Sequence, residues 1–241
     1  MRDALNATGR RILFTIHGGT TPGSPNGTVA NMWRTGGDLY ASDFSMWTNR
    51  LDLATTPEQR ALCGPGSMVD PDFLETGYSP RAPIGHTQTP LEQRSMFTMW
   101  AALPTGLTLS ADLRAASSGI DAFALATLTN AEVIAVNQDP LVAPMRPLVN
   151  TSAGLQVWLK PLAAAGAQAV VFFHRGDASG PLPAPPAVAE ISVGWAALGL
   201  APGASVKVRD LWAHADLGSF VGSFAANVTQ RDARIYTFIA A

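Results

Sequence analysis

Charged side chains are scarce in this sequence. Asp, Glu, Lys and Arg make up only 14% of the 241 residues, and the formal net charge is −2. A typical globular domain has about 25% charged residues, so the composition excludes a solvated coil or a highly charged tail. The near-neutral balance also removes the main electrostatic reason to expect nucleic acid or a membrane surface as a partner.

Cysteines and long apolar runs are also lacking. The single cysteine, Cys63, cannot form an intramolecular disulfide, so cysteine content does not indicate a redox compartment. No apolar run reaches the roughly 18 residues that a membrane-spanning helix needs. The 47% of hydrophobic residues are nevertheless enough to build a substantial buried core.

The first part of the sequence alternates short apolar runs with helical patterns, which is typical of βα units and a parallel sheet. Residues 12–16 predict a strand buried on both faces, and residues 29–33 predict the next strand. The sequence Thr89-Pro90-Leu91-Glu92 predicts a helix start with a capping box. Further strands are predicted at residues 70–75 and 106–110, and further helices at 43–54 and 121–129.

The pattern changes after about residue 146. Residues 155–159 alternate apolar and polar side chains, as a half-exposed strand does. Similar strand-like runs, separated by turn-rich spacers, follow at residues 169–173, 189–193, 205–211 and 234–239. These runs predict an all-β, antiparallel, sandwich-like module. We therefore expect two domains, at residues 1–147 and 148–241.

Ionisable residues follow several of the predicted parallel strands, at the edge of the sheet where sites gather. They are His17, Arg34, Asp38, Asp70, Asp72 and Asp112, together with the hydroxyl of Ser110. Carboxylates at neighbouring strand ends suit a pair of acids that act on a glycosidic bond. Strand-end aspartates also commonly cap helices, and Asp43, which precedes an apolar helical stripe, is interpreted as such an N-cap.

Other chemistries have less support in the sequence. Cys63 lies in a Gly-Pro turn with no histidine near it in sequence, which disfavours thiol catalysis. No cluster of His, Cys or carboxylate residues has the spacing of metal ligands, and Gly18-Gly19 lacks the later glycines and lysine of a phosphate-binding loop. We therefore expect neither a metal nor a cofactor.

The sequence contains five motifs, at residues 4–10, 33–38, 70–75, 109–114 and 128–140. Among them are Trp33-Arg34-Thr35-Gly36-Gly37-Asp38 and Asp70-Pro71-Asp72. In identity and order the motifs resemble the α-galactosidase (melibiase) family of retaining glycoside hydrolases, which also contains α-N-acetylgalactosaminidases. Residues 157–239, with Arg209-Asp210-Leu211-Trp212, are similar to the antiparallel β domain at the C-terminus of that family.

The resemblance implies an α/β fold followed by an all-β fold. Residues 1–147 would be the second half of a catalytic (β/α)8 TIM barrel, strands five to eight, and residues 148–241 an antiparallel β-sandwich domain. The family's nucleophile lies on strand four in a Lys-x-Asp motif, and this motif occurs nowhere in the 241 residues. The chain is therefore expected to be a fragment of a longer protein and inactive on its own.

The resemblance also implies roles for individual residues. Asp38 matches the acid/base aspartate, Arg34 the arginine that helps to hold the sugar, and Asp72 an aspartate that lines the pocket. His17 falls where the galactosidases have a glutamate that contacts the sugar. It could hydrogen-bond a hydroxyl group, or it could simply fill the mouth of the barrel.

The implied function of the full-length protein is hydrolysis of terminal α-linked galactose with retention. The alternatives are α-N-acetylgalactosaminidase or a related α-glycosidase, and, in a different class, a non-catalytic carbohydrate-binding or structural remnant. The expected partners are α-galactoside oligosaccharides or glycoconjugates, and a homodimer of the full-length protein is left open. Four Asn-x-Ser/Thr sequons, at Asn6, Asn26, Asn150 and Asn227, favour a secreted, lysosomal or vacuolar protein.

Overall fold

A computed structural model of the chain describes residues 1–17, 29–39, 43–77, 88–113, 120–177 and 186–240. The sequon at Asn26 and Arg114 of the fourth motif lie outside these ranges, whereas the asparagines of the other three sequons are exposed. The elements of the first part are α1 (Arg2–Asn6), β1 (Thr15–Ile16), β2 (Met32–Arg34), α2 (Phe44–Ala54), α3 (Pro57–Ala61), β3 (Met68–Asp70), α4 (Pro90–Ala102), α5 (Ala122–Leu128) and α6 (Ala131–Asn137).

The second part contains all of the antiparallel strands. They are β4 (Arg146–Asn150), β5 (Leu155–Pro161), β6 (Ala167–His174), β7 (Val188–Gly194), β8 (Ser205–Asp210), β9 (Ala215–Val221), β10 (Ser223–Thr229) and β11 (Ala233–Ala240), with a 3-10 helix at Trp195–Leu198. In the described residues no helix is long and apolar enough to cross a membrane.

The strands of the first part form a small parallel sheet in the order β1-β2-β3. Trp33 lies opposite Ile16 of β1 and Val69 of β3, so β2 is the central strand. The strand predicted at 106–110 is reduced to a single parallel bridge between Leu74 and Leu109. The strand predicted at 70–75 begins and ends earlier, at Met68–Asp70. Within the described residues, the parallel sheet is therefore shorter than the sequence predicts.

The prediction of a strand at 12–16 buried on both faces is wrong in part. Only Thr15–Ile16 is paired, and the side chains of Ile12 and Leu13 are exposed. The reason is that β1 is the edge of the described parallel sheet, with β2 on one side only. An apolar pattern cannot tell such an edge segment from a central strand.

The predicted helices begin at polar capping residues. The carboxylate of Asp43 accepts a hydrogen bond from the backbone N–H of Ser45 and so caps α2. Thr89 and Glu92 form the predicted capping box at the start of α4, and Asp121 caps α5. Each cap satisfies N–H groups that a helix leaves without intrahelical partners. These helix predictions are confirmed.

The β-sandwich predicted for the second part is confirmed as well. One sheet has six antiparallel strands in the order β4-β5-β6-β11-β8-β9, and the other pairs β10 with β7. The sequence pattern misses β4, β9 and β10. β9 contains Gly218 in the left-handed region of φ, and β10 is rich in Ala and Asn, which are depleted in strands. The predicted domain boundary at 147/148 stays a prediction.

Aromatic side chains fill the space between the two sheets of the sandwich. Phe224 of β10 packs edge-on against Tyr236 and Phe238, with ring centroids 5.1 and 5.5 Å apart. Such edge-to-face pairs stabilise a core beyond the area they bury. The 3-10 helix closes one end of this core, because Trp195 packs against Phe238.

The other face of the six-stranded sheet is buried against α2 and α4. Trp47 of α2 lies between Trp100 of α4 and Phe173 of β6, with ring centroids 5.9 and 6.0 Å away. All three side chains are fully buried. The helices of the first part and the sheet of the second part therefore share one hydrophobic core.

Buried ion pairs cross the same interface. Arg231, in the turn before β11, donates to the Glu92 carboxylate of α4 at 2.8 Å, and both side chains are almost fully buried. Arg94 of α4 makes a two-point ion pair with Asp232, and Ser95 donates to the carbonyl oxygen of Arg231. Because breaking one partner of a buried pair leaves an uncompensated charge, these contacts fix α4 on the sheet.

One buried cation in this interface has no partner. Lys160 in β5 is 1% exposed, and its Nζ makes no hydrogen bond to any described residue. Burial lowers the pKa of Lys160 to about 8, although the negative charge of nearby Asp139 opposes this shift. The interface therefore carries a charge that destabilises the fold at neutral pH.

We predict that Lys160→Met raises the free energy of unfolding at pH 7 by on the order of 2–3 kcal/mol, because it removes a buried unpaired charge. In the wild type the pKa lies below its ordinary value, so the native state binds fewer protons than the unfolded state between pH 8 and 10.5. Stability should therefore rise with pH across that window, and Lys160→Met should abolish the rise.

Urea titrations between pH 7 and pH 10.5 measure this effect. Lys207→Met is the matched control, because Lys207 is exposed on β8 and its removal should change neither stability nor its pH dependence. Equal effects of the two substitutions would show that Lys160 is not a destabilising charge.

Candidate active site

The parallel strands carry polar side chains to one edge of the sheet. His17 directly follows β1, Arg34 is the last residue of β2, and Asp70 is the last residue of β3, paired with Arg34 in register. Because parallel strands end at the same edge, these three residues are neighbours in space. This edge is where the loops that follow the strands can build a site.

Arg34 connects the site residues that follow two different strands. Its Nη2 donates to Oδ2 of Asp72 at 2.6 Å and to Oδ1 of Asp38 at 3.1 Å. The Arg34 side chain is only 12% exposed, which strengthens charge-assisted hydrogen bonds relative to those in open solvent. One guanidinium group therefore holds two carboxylates beside each other.

Asp72 is fixed on all sides. Its Oδ2 also accepts from the backbone N–H of Leu39, and its Oδ1 accepts from the N–H of Phe73. Its backbone N–H donates to the Asp70 carboxylate, and its carbonyl oxygen accepts from the indole N–H of Trp100. The residue has a φ of +86°, a conformation that non-glycine residues adopt mainly under local constraint. Asp72 is therefore a buried acceptor that orients Arg34.

Asp38 has the opposite environment. Its side chain is 71% exposed, and besides Arg34 its carboxylate faces the similarly exposed ring of His17, with Oδ1 3.7 Å from Nε2. The oxygens of Asp38 are thus open to a ligand, whereas those of Asp72 are occupied by the protein. Of the two carboxylates on Arg34, only that of Asp38 is exposed to solvent.

Two further carboxyl groups at this edge are buried. Burial raises the pKa of Asp70. The hydrogen bond that the Asp70 carboxylate accepts from the backbone N–H of Asp72 opposes this shift. Burial, together with the negative charges of Asp72 and Asp43, raises the pKa of Glu75 to about 7. Glu75 is 5% exposed, and its Oε2 has no hydrogen-bond partner among the residues that the structure describes.

The competing residues are engaged elsewhere. Asp43 caps α2 by accepting from both the N–H and the hydroxyl of Ser45. Burial raises the pKa of the Cys63 thiol to about 11, so little of the nucleophilic thiolate exists at neutral pH. The hydroxyl of Ser110 donates to the carbonyl of Leu74. Across the described ranges, no group of three or more His, Cys, Asp or Glu side chains could hold a metal ion.

The structure thus brings together the four predicted site residues, His17, Arg34, Asp38 and Asp72. Their roles toward a sugar stay predictions. Glu75 lies at the same edge but is not among the predicted site residues, although a glutamate placed between the buried Leu74 and Thr76 is an available signal. A charged residue inside a buried run is rare unless it is paired or functional.

Comparisons with known proteins agree with the motifs. The family described as "Alpha galactosidase A" matches residues 1–139, and the "Alpha galactosidase C-terminal beta sandwich domain" matches residues 152–238. An α-galactosidase of Oryza sativa subsp. japonica is 33% identical over 238 residues, which cover 98% of this chain and 51% of that protein. Alpha-galactosidase 3 of Arabidopsis thaliana is 36% identical over 242 residues, covering 98% of this chain and 50% of that protein.

A solved structure shares the fold of both parts. It is a glycoside hydrolase family 27 β-L-arabinopyranosidase from Geobacillus stearothermophilus, with a TM-score of 0.80 and 25% identity, covering all of this chain and 52% of that one. The chain spans about half the length of the curated relatives it matches. The similarity therefore extends over this whole chain but over only part of each relative.

We predict that Glu75→Gln stabilises the chain more at pH 7 than at pH 4.5. The folded-state pKa lies above the ordinary value of 4.5, so the native state binds more protons than the unfolded state between pH 4.5 and 7. Stability should therefore be lost as the pH rises through this window, by on the order of 2 kcal/mol. The neutral glutamine should remove that part of the pH dependence.

Urea denaturation at several pH values between 4.5 and 7.5 gives the slope. Glu58→Gln is the control, since Glu58 is exposed in the first turn of α3 and should leave the slope as it is. If Glu75→Gln also leaves the slope unchanged, the Glu75 carboxyl is ionised in the folded state and the description above is wrong.

Proposed function

The chain belongs to the α-galactosidase family, and from its site we propose that it supplies the acid/base side of an active site that hydrolyses terminal α-linked galactose with retention. The observation that carries the proposal is the Arg34 guanidinium shared between a buried Asp72 and an exposed Asp38. This arrangement provides one carboxyl group that is both held in place and open to a substrate.

We also propose that residues 1–147 are the C-terminal half of a (β/α)8 barrel. In this interpretation β1, β2, β3 and the bridge at Leu109 correspond to strands five to eight. Two observations support it: β1, β2 and β3 are parallel neighbours in chain order, and the site residues follow their carboxyl ends. Active sites of such barrels lie on that face.

In the reaction we propose, Asp38 acts twice. It first donates its proton to the glycosidic oxygen as the bond to the anomeric carbon breaks. As a carboxylate it then accepts a proton from the water that attacks the glycosyl-enzyme. Arg34 holds the Asp38 carboxylate in place through both steps, and His17 lies on the open side of the same group, where it can contact a sugar hydroxyl.

The second carboxylate of a retaining pair would stand about 5–5.5 Å from the acid/base. Asp72 is near enough to Asp38, but its oxygens are occupied by Arg34 and by backbone N–H groups. The sequence contains no Lys-x-Asp motif of the kind that carries the family's nucleophile. We therefore propose that the nucleophile comes from outside these 241 residues, so that the chain alone turns over no α-galactoside.

The preferred sugar is a separate question. The neighbour from Geobacillus stearothermophilus is named for a β-L-arabinopyranoside, so the fold is compatible with more than one pyranose. His17, open at the site, leaves α-N-acetylgalactosaminidase as the alternative. Relative turnover of nitrophenyl α-galactoside and nitrophenyl α-N-acetylgalactosaminide separates the two. Failure to hydrolyse either sugar, even in the full-length protein, would favour a non-catalytic carbohydrate-binding or structural remnant.

We predict that Asp38→Ala, in the active protein that contains this chain, lowers kcat by roughly a hundredfold or more for galactosides with alkyl or sugar leaving groups. Nitrophenyl galactosides should lose much less activity in the first step, because their acidic leaving group departs with little protonation. Values of kcat/KM on a matched alkyl and nitrophenyl pair measure the difference, because kcat/KM reports the first step, whereas kcat for the nitrophenyl substrate also contains the second step, which Asp38→Ala slows for every substrate.

Asp216→Ala is the control for this experiment, since Asp216 is an exposed aspartate of β9 in the sandwich and pairs with Arg209. It should leave both substrates unaffected. An equal loss of kcat/KM on both substrate types in Asp38→Ala would assign Asp38 a structural role instead of proton transfer.

A further inference from the structure

An arginine of the next helix, α2, contacts the backbone of the turn that carries Asp38. Arg50 lies in α2, and its Nε donates to the carbonyl oxygen of Gly37 at 2.7 Å. Its Nη2 donates to the carbonyl oxygen of Asp38 itself at 3.3 Å, and its Nη1 bonds the side chain of Asn49. The guanidinium group therefore bonds two successive carbonyls of the turn.

Gly36 makes room for this arginine. A Cβ atom at position 36 would lie 2.5 Å from Cδ of Arg50 and 3.1 Å from a methyl group of Leu53. Cδ belongs to the stem that the hydrogen bonds at Gly37 and Asp38 hold in place, so it cannot move away while those bonds persist. The absence of a side chain at position 36 and the course of Arg50 are thus two independent signs of the same contact.

The opposite side of the turn is also held. The backbone N–H of Leu39 donates to Oδ2 of Asp72 at 2.7 Å, the same oxygen that Arg34 binds. The backbone around Asp38 is therefore bonded through carbonyls by Arg50 and through an amide by Asp72. The Asp38 side chain is itself mostly exposed, so its position depends strongly on the backbone that bears it.

We propose that Arg50 is a positioning residue for Asp38: it fixes the turn at residues 36–38 so that the carboxyl group faces Arg34 and the open edge of the sheet. The inference rests on the role proposed for Asp38, and it adds a residue that touches no substrate. A displacement of about 1 Å at a reacting group can cost about a hundredfold in rate, which gives such a contact its functional weight.

Amide hydrogen exchange in the 241-residue chain tests the contact without any activity. In Arg50→Met, which keeps most of the stem but removes the donors, we expect the Leu39 amide to exchange about tenfold faster or more, the factor for a lost charge-assisted hydrogen bond. The Thr35 amide, bonded to the carbonyl of Asp70 in the parallel sheet, should not change. Ethylguanidinium added to Arg50→Ala should restore protection at Leu39.

Arg175→Met is the matched control. Arg175 follows β6 and makes a two-point ion pair, at 2.7 and 2.8 Å, with Asp52 of α2, the helix that also carries Arg50. If Arg175→Met speeds exchange at Leu39 as much as Arg50→Met does, or if ethylguanidinium restores nothing, Arg50 acts only through the stability of α2 and the proposal is wrong.

A double-mutant cycle in the active protein tests the consequence for catalysis. Arg50→Ala and Gly36→Ala should each lower kcat on alkyl galactosides about tenfold with little change in KM, and the double variant should lose no more than either one. Multiplicative losses, or equal losses of kcat/KM on alkyl and nitrophenyl galactosides, would overturn the positioning role. If Asp38→Ala itself shows no leaving-group effect, the function proposed for Asp38 fails, whereas the exchange result still decides the contact.

Discussion

The structure depends on one packing contact, between a face of the six-stranded sheet and the helices α2 and α4. Trp47 and Trp100 bring the two helices together against Phe173 of the sheet, and the Arg231–Glu92 pair holds α4 on the same sheet. Neither helix could bury its aromatic side chains without that sheet, because each exposes them on one side. The sandwich is therefore part of the core of the α/β region and not an appended module.

These two helices also reach the site. The indole N–H of Trp100 in α4 bonds the backbone of Asp72, and α2 provides Arg50 against the turn that bears Asp38. A change in the seating of either helix on the sheet would thus move one of the carboxylates on Arg34. This connection gives a physical reason for the α/β region and the sandwich to occur together in this chain.

At the site itself, burial sorts the carboxyl groups into different roles. Asp72 is buried and accepts several hydrogen bonds, so it serves as a fixed acceptor. Glu75 is buried, no described residue forms a hydrogen bond with its Oε2, and its pKa is raised to about 7. Asp38 alone combines a fixed backbone with an exposed carboxylate. Arg34 is shared by Asp38 and Asp72 only, and the surroundings of each carboxyl group give chemically similar groups different properties.

Local patterns in the sequence predict some of this and cannot predict the rest. Capping at Thr89 and Asp43 follows from nearest neighbours, and both caps are confirmed. The alternation at 155–159 predicts a strand correctly but a half-exposed one, which is wrong, because β5 is buried on both faces between the second sheet and the helices. The motifs bring out Arg34, Asp38 and Asp72. Arg50 and Gly36, in contrast, matter because of a contact between a turn and a helix. No local sequence pattern predicts that contact. The sequence predicts parallel strands that are too long, because an apolar run does not reveal whether a strand lies at the edge of a sheet.

In the proposed mechanism Asp38 exchanges the proton and does not form the bond to the sugar. The most direct measurement is the anomeric configuration of the galactosyl azide formed when the active protein with Asp38→Ala turns over a nitrophenyl α-galactoside in the presence of azide. Azide needs no base and should attack the glycosyl-enzyme from the face that water uses, so proton NMR should identify the α-azide. The β-azide would mean that Asp38 is the nucleophile, which would contradict the account.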